Sequence, residues 1–170
     1  EVGVYGGGTA DVRDIDSDSA AVGDVDEAGD ADPMTPPVDT DGDGTPDVFD
    51  EDSDGDGLSD RAEAGDDDAR TPAIDTDGDG DPDFADTDSD DDGIPDSVEA
   101  LSRFTTTVPA DTDGDGTPDY RDSDTDGDGL ADIDESVLDQ DGDGIPGWRD
   151  PDADGDGTID GPSRIPISEP

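Results

Sequence analysis

The sequence predicts an irregular, loop-rich repeat array, drawn out into an elongated rod with little regular helix or sheet. Three observations lead there. The 170 residues include 56 acidic side chains against 7 basic ones, a formal charge of −49. Leu, Ile, Val and Phe make up roughly 15% of the chain, under the roughly 20% below which a highly charged polymer stays disordered. The acids also recur in a fixed register, which a disordered tail has no need of. At ~25 cal/mol per Å² of apolar surface, so few hydrophobic side chains cannot offset ~1–2 kcal/mol of backbone entropy per residue. Without bound metal the chain is not expected to fold.

Composition excludes several functions. His, Cys, Lys and Asn are absent, which removes Ser-His-Asp and Cys-His triads, zinc fingers, disulfides, iron–sulfur clusters and N-glycosylation. So negative a surface repels phosphate and anionic lipid, so neither nucleic acid nor membrane is an expected partner. No apolar run is long enough to span a bilayer. The chain opens on Glu1 without an apolar leader, as expected of a processed product or an excised segment.

Residues 1–38 are expected to be extended or disordered, with a short strand at Glu1–Tyr5 ahead of three glycines. Asp14-Ile15-Asp16-Ser17-Asp18 begins like the repeat described next, but reaches Ser19 where a glycine belongs. It is therefore left outside the array. Pro33, Pro36 and Pro37 keep the approach extended.

Residues 39–163 form the array. The pattern D-x-D-x-D-G-x-x-D-x-x-[D/E] starts eight times, at Asp39, Asp52, Asp75, Asp88, Asp111, Asp124, Asp139 and Asp152. Glycine fills position 6 every time. The motifs come in pairs, 39–63, 75–99, 111–135 and 139–163, each a leading and a trailing loop. The leading loops contribute Asp39, Asp41, Asp43, Asp47 and Asp50; Asp75, Asp77, Asp79, Asp83 and Asp86; Asp111, Asp113, Asp115, Asp119 and Asp122; and Asp139, Asp141, Asp143 and Asp150. The trailing loops contribute Asp52, Asp54, Asp56, Asp60 and Glu63; Asp88, Asp90, Asp92, Asp96 and Glu99; Asp124, Asp126, Asp128, Asp132 and Glu135; and Asp152, Asp154, Asp156 and Asp160. The last pair has a short connector, Gly147 at position 9 and Ser163 at position 12, as terminal repeats often do. Residues 164–170 read as an extended tail.

Calcium explains the spacing. It takes six to eight oxygens at ~2.3–2.6 Å. Carboxylates at positions 1, 3 and 5 of a tightly curved loop converge on one point. Glycine at 6 allows the turn, position 7 offers a carbonyl, and the acid at 12 closes the shell. The aspartate at 9 is poorly placed for that shell, so a second ion using it is favoured. The array is expected to hold at least eight calcium ions, and up to about sixteen.

The flanking amphipathic helices of an EF-hand are missing, and proline takes position 8 in five motifs. The stretch DTDGDGTPDVFDEDSDGDGLSDRAE at 39–63 instead resembles the thrombospondin type 3 repeat, in the cysteine-free form of bacterial surface proteins. That resemblance implies an extracellular array in which calcium replaces a hydrophobic core and a motif can hold more than one ion.

Phe49, Phe84, Tyr120 and Trp148 recur at positions 10 or 11 of the leading loops, and Leu58, Ile94 and Leu130 at position 7 of the trailing ones. They read as small apolar clamps between loops, with a carbohydrate-stacking row as the alternative. Short helices are expected just after Glu63, Glu99 and Glu135. Thr105–Thr107 beside Pro109 either accept O-glycans or form a plain connector. Catalysis is not expected, because no buried pocket is foreseen to shift a carboxyl pKa.

The expected function is that of a secreted or cell-surface spacer or stalk in a bacterium, stiffened by calcium. The alternatives are a fibre subunit docking copies of itself through its extended ends, an adhesion module with a cell-surface partner, and a calcium reservoir.

Overall fold

The computed structural model describes residues 16–29, 36–100 and 109–161. The strand expected at Glu1–Tyr5, the Thr105–Thr107 stretch, Ser163 and the 164–170 tail lie outside them. Among the described residues there is no strand, and regular structure is confined to single turns. The chain is loop-rich, as its sequence requires.

Each loop closes by one backbone hydrogen bond. The position-9 N–H donates to the carbonyl of the residue just before the loop: Asp47 to Val38, Asp60 to Glu51, Asp83 to Ile74, Asp96 to Thr87, and likewise through Asp160 to Pro151. The turn that follows differs between the two loop types. In leading loops positions 9–11 make a 3₁₀ turn: Asp47–Phe49, Asp83–Ala85, Asp119–Arg121 and Gly147–Arg149. The next loop begins two residues after position 12, so the backbone must return to the extended region there, as Asp50 does at φ −99, ψ 143. Trailing loops have free chain after them, and the turn reaches a full α-helical bond. These helices are α1 (Asp24–Glu27), α2 (Asp60–Glu63) and α3 (Asp96–Glu99). The 124 loop makes only a 3₁₀ turn, Asp132–Asp134. The helices thus run up to Glu63 and Glu99, and do not start after them as the sequence suggested. Ending on the glutamate points its side chain back over its own loop.

The scarce apolar residues form two clusters. Val22, Ala21, Ala64 and Phe84 make one, and Leu58, Ala100 and Tyr120 make the other. Adding 36 to Val22, Ala64 and Phe84 gives Leu58, Ala100 and Tyr120, so one clamp is used twice. Each draws on position 7 of one trailing loop, the alanine after the next, and position 10 of a leading loop further on. Position 10 is the buried one: Val48, Phe84, Tyr120 and Trp148 are buried, while Phe49 is only half-buried. Rings buried in this way offer no face to a sugar, so the clamp reading holds over the stacking one. The Tyr120 hydroxyl donates to the Ala62 carbonyl (3.0 Å). The Arg121 guanidinium lies over the Tyr120 ring and reaches the Asp83 carboxylate (2.5 Å) and the Glu63 carbonyl.

The fourth pair departs from this scheme for a visible reason. Its short connector brings Ser136 against the leading turn, where a β-carbon at Gly147 would stand 2.8 Å from the Ser136 carbonyl oxygen. Only glycine fits, which accounts for the missing aspartate at position 9.

Candidate metal centre

Within each loop the carboxylates are held by backbone amides. The position-3 carboxylate accepts the N–H of position 5, and position 5 accepts that of position 7. Asp43 N–H donates to Asp41 (2.8 Å) and Thr45 N–H to Asp43 (2.7 Å); Asp56 donates to Asp54 (3.0 Å) and Leu58 to Asp56 (2.6 Å). Position 1 reaches the glycine N–H at position 6, as in Gly157 to Asp152 (2.8 Å). At positions 3 and 5 such a bond to one oxygen leaves the other without a hydrogen bond in Asp54, Asp56, Asp90 and Asp92. Gly57, at φ +103, supplies the conformation that lets its N–H point inward. The residues of positions 1, 3 and 5 do converge. The sets Asp39-Asp41-Asp43, Asp52-Asp54-Asp56, Asp75-Asp77-Asp79 and Asp88-Asp90-Asp92 each bring three carboxylate oxygens within 4.8 Å of one another. Such groups are able to hold metal ions.

Position 12 stands close to the same loop. Asp50, Asp86 and Asp122 feel the charges of positions 3 and 5 of their own leading loops, after desolvation by burial, and their carboxyls are raised. Each also accepts the N–H of the first residue of the trailing loop, Asp52 to Asp50 at 3.2 Å for example.

Position 9 also has a part that the sequence did not suggest. Its two oxygens bracket the residue at position 2. Thr40 donates its N–H and hydroxyl to Asp47 (2.9 and 2.8 Å), Ser53 to Asp60 (2.7 and 2.7 Å), Thr76 to Asp83 (2.8 and 2.9 Å), Ser89 to Asp96 (2.9 and 2.6 Å), and Thr112 to Asp119 (2.6 and 2.7 Å). Asp132 takes the Thr125 N–H (3.0 Å). The position-2 hydroxyl was overlooked in the sequence, although Ser or Thr fills that position wherever this bracket forms. Where Gly147 removes the aspartate, Gln140 stands in place of the hydroxyl.

The two loop types differ sharply in environment. Leading-loop triads are exposed. The trailing loops at 52, 88 and 124 turn inward, and many of their carboxylates bury an oxygen that has no partner. Unpartnered buried oxygens occur on Asp54, Asp56, Glu63, Asp88, Asp90, Asp92, Glu99, Asp126, Asp132 and Glu135. Glu63 is 1% exposed and Glu99 0%. Burial, then the charges of Asp90, Asp92, Asp96 and Asp132, push the Glu99 carboxyl up to about 10. Glu63 is raised well above its ordinary value for the same reason, with Asp54 and Asp56 its nearest opponents. Asp54 and Asp90 rise to about 8. Unpaired buried carboxylates cost several kcal/mol each, so these groups call for a cation. The last trailing loop, Asp152-Asp154-Asp156, is largely exposed.

The buried sites also cross between repeats. Asp56, Glu63 and Asp96 form one group within 4.8 Å, so the position-9 aspartate of one trailing loop faces the site of the loop before it. Asp132 stands in the same relation to Asp92 and Glu99.

The array extends further toward the N-terminus than the pattern did. Residues 16–27 adopt the trailing-loop fold. Ser17 brackets Asp24 (2.7 and 2.8 Å), Ala20 N–H donates to Asp18 (2.9 Å), and Ala21 N–H to Asp16 (3.2 Å). The motif was missed because alanines stand at positions 5 and 6. The signal that finds it is distance: Asp16 lies 36 residues before Asp52, as Asp52 does before Asp88.

No protein-family model matches the chain, and no curated protein matches it in sequence.

Proposed function

We propose that the protein is a calcium-binding structural repeat protein acting as an extracellular or cell-surface spacer, whose folded state depends on bound calcium. One observation carries this reading: the buried, unpartnered carboxylate oxygens fall in trailing loops, where backbone amides orient the aspartates at positions 3 and 5. Ligands composed entirely of oxygen suit a hard cation, and flexible carboxylate loops accept the larger, less demanding calcium more readily than magnesium. The thrombospondin type 3 resemblance points the same way.

Calcium binds the folded loops and barely the unfolded chain. At ten times its Kd a site adds about 1.4 kcal/mol by mass action, and eight sites add on the order of 10 kcal/mol, a whole domain's stability. Extracellular modules of this type bind at ~10⁻⁴–10⁻³ M, a range in which calcium outside the cell loads them and cytosolic calcium does not. An array loaded in this way resists bending because adjacent loops share ligands, and that is the property a stalk requires.

Small-angle scattering in calcium and then in chelator tests the reading. The expected result is a stiff, elongated particle that turns into an expanded, flexible chain on chelation. An unchanged profile counts against it.

A further inference from the structure

We propose that residues 16–27, together with Asp60 of the next trailing loop, form an additional calcium site, shared between two repeats and weaker than those that follow. The proposal rests on the calcium reading above and adds a site that the acidic pattern does not mark.

The acids alone would not carry it. Asp16, Asp18 and Glu27 occupy positions 1, 3 and 12, but position 5 is Ala20 and position 6 is Ala21. The decisive group is Glu27. It is 1% exposed, and both of its carboxylate oxygens are buried without a hydrogen-bond partner. One oxygen of Asp18 is buried and unpartnered as well. The charges that bear on Glu27 are those of Asp18, Asp60, Asp24 and Asp16, in that order. Asp24 is engaged by the Ser17 N–H and hydroxyl, and Asp60 by those of Ser53; Asp60 is counted with Asp16, Asp18 and Glu27 because Asp96, held by Ser89 in the same way, still joins Asp56 and Glu63 in one group. Arg61 reaches this loop only at the Ser19 carbonyl (3.4 Å) among the described hydrogen bonds.

The register supports the assignment independently. The group Asp56-Glu63-Asp96, moved back by 36 residues, falls on Ala20, Glu27 and Asp60. This loop therefore keeps the glutamate and the cross-repeat aspartate and loses only the position-5 carboxylate. It keeps the backbone too. Ser19 and Ala21 hold φ +76 and +72, where Gly55 and Gly57 hold +73 and +103. Non-glycine residues persist in that region only when their surroundings dictate it. With one carboxylate fewer the site satisfies one divalent ion less completely, so its affinity falls below that of the 52 and 88 loops.

Native mass spectrometry of the full chain, titrated with calcium, counts the ions. Glu27→Gln is expected to lower the saturated count by one. Ala20→Asp, which restores the missing carboxylate, is expected to tighten the weakest binding step about tenfold. A Glu27→Gln count equal to the parent's, or an Ala20→Asp chain whose weakest step does not tighten, overturns the proposal. If Glu27→Gln loses several ions through misfolding, the Ala20→Asp titration decides. Failure of the parent chain to take up any calcium would instead overturn the broader reading, so the two are separable.

Discussion

At the scale of single residues, aspartate has two jobs here, and the hydrogen bonds separate them. At positions 3 and 5 one oxygen takes an amide and the other is left for a cation. At position 9 of the loops at 39, 52, 75, 88 and 111 both oxygens accept from the position-2 Ser or Thr. Ser53→Ala should therefore destabilise the calcium-loaded protein by about 1–3 kcal/mol, since it leaves buried Asp60 short of a donor; denaturation in excess calcium reads this. The buried acids also set a pH dependence for the metal-free chain. Burial raises the carboxyls of Glu27 to about 9, Glu99 to about 10 and Asp54 to about 8, so the folded state binds protons more tightly than the unfolded one. The stability this gives is present below the ordinary carboxylate pKa of about 4, and it is lost as pH rises through about 8 to 10. In chelator the hydrodynamic radius should grow from pH 4 to pH 9. In calcium the trend reverses, because protons compete with the metal. The convergence of positions 1, 3 and 5 was legible in the sequence because one carboxylate oxygen at each spacing has a plain geometric purpose. The position-9 role was not, because its partner is a neutral hydroxyl that composition does not flag.

At the scale of the loop, fold and ligand set are partly independent. The 16–27 loop keeps the bracket and helix α1 after losing both the position-5 acid and the glycine. Sequence reading tied the fold to glycine at position 6, and Ala21 at φ +72 shows the backbone holding without it. The glycine's value is therefore energetic. A β-carbon added at Gly57 meets nothing within 4 Å, so Gly57→Ala should cost only the left-handed penalty of about 1–2 kcal/mol. The bound-ion count should stay unchanged while the calcium midpoint for folding rises. A lost ion would mean that the glycine does more than turn the chain. The helices were foreseen near the right glutamates but displaced by one turn, because the segment that closes the loop is the same one that coils.

At the scale of the whole molecule, the clamps tie distant loops. Leu58, buried with Ala100 and Tyr120, should cost about 2–5 kcal/mol when cut to alanine, and the loss should spread over the loops that share the clamp. Hydrogen exchange of the loaded protein should show protection falling around 58–64, 96–100 and 119–121 together. Loss confined to 52–63 would contradict the clamp. The aromatic recurrence was visible in the sequence. Which turn each ring meets was not, because that depends on how successive pairs are placed, and spacing along a chain does not specify it.

The length of these ties bears on how such a chain acquires its shape in time. Tyr120 reaches back 58 residues to the Ala62 carbonyl, and the Val22 clamp likewise waits for Phe84. A chain emerging N-terminus first cannot finish a repeat when that repeat appears. Each one stays provisional until most of two more have followed, so order must trail the emerging end by a constant lag. Non-local closure of this kind is slow.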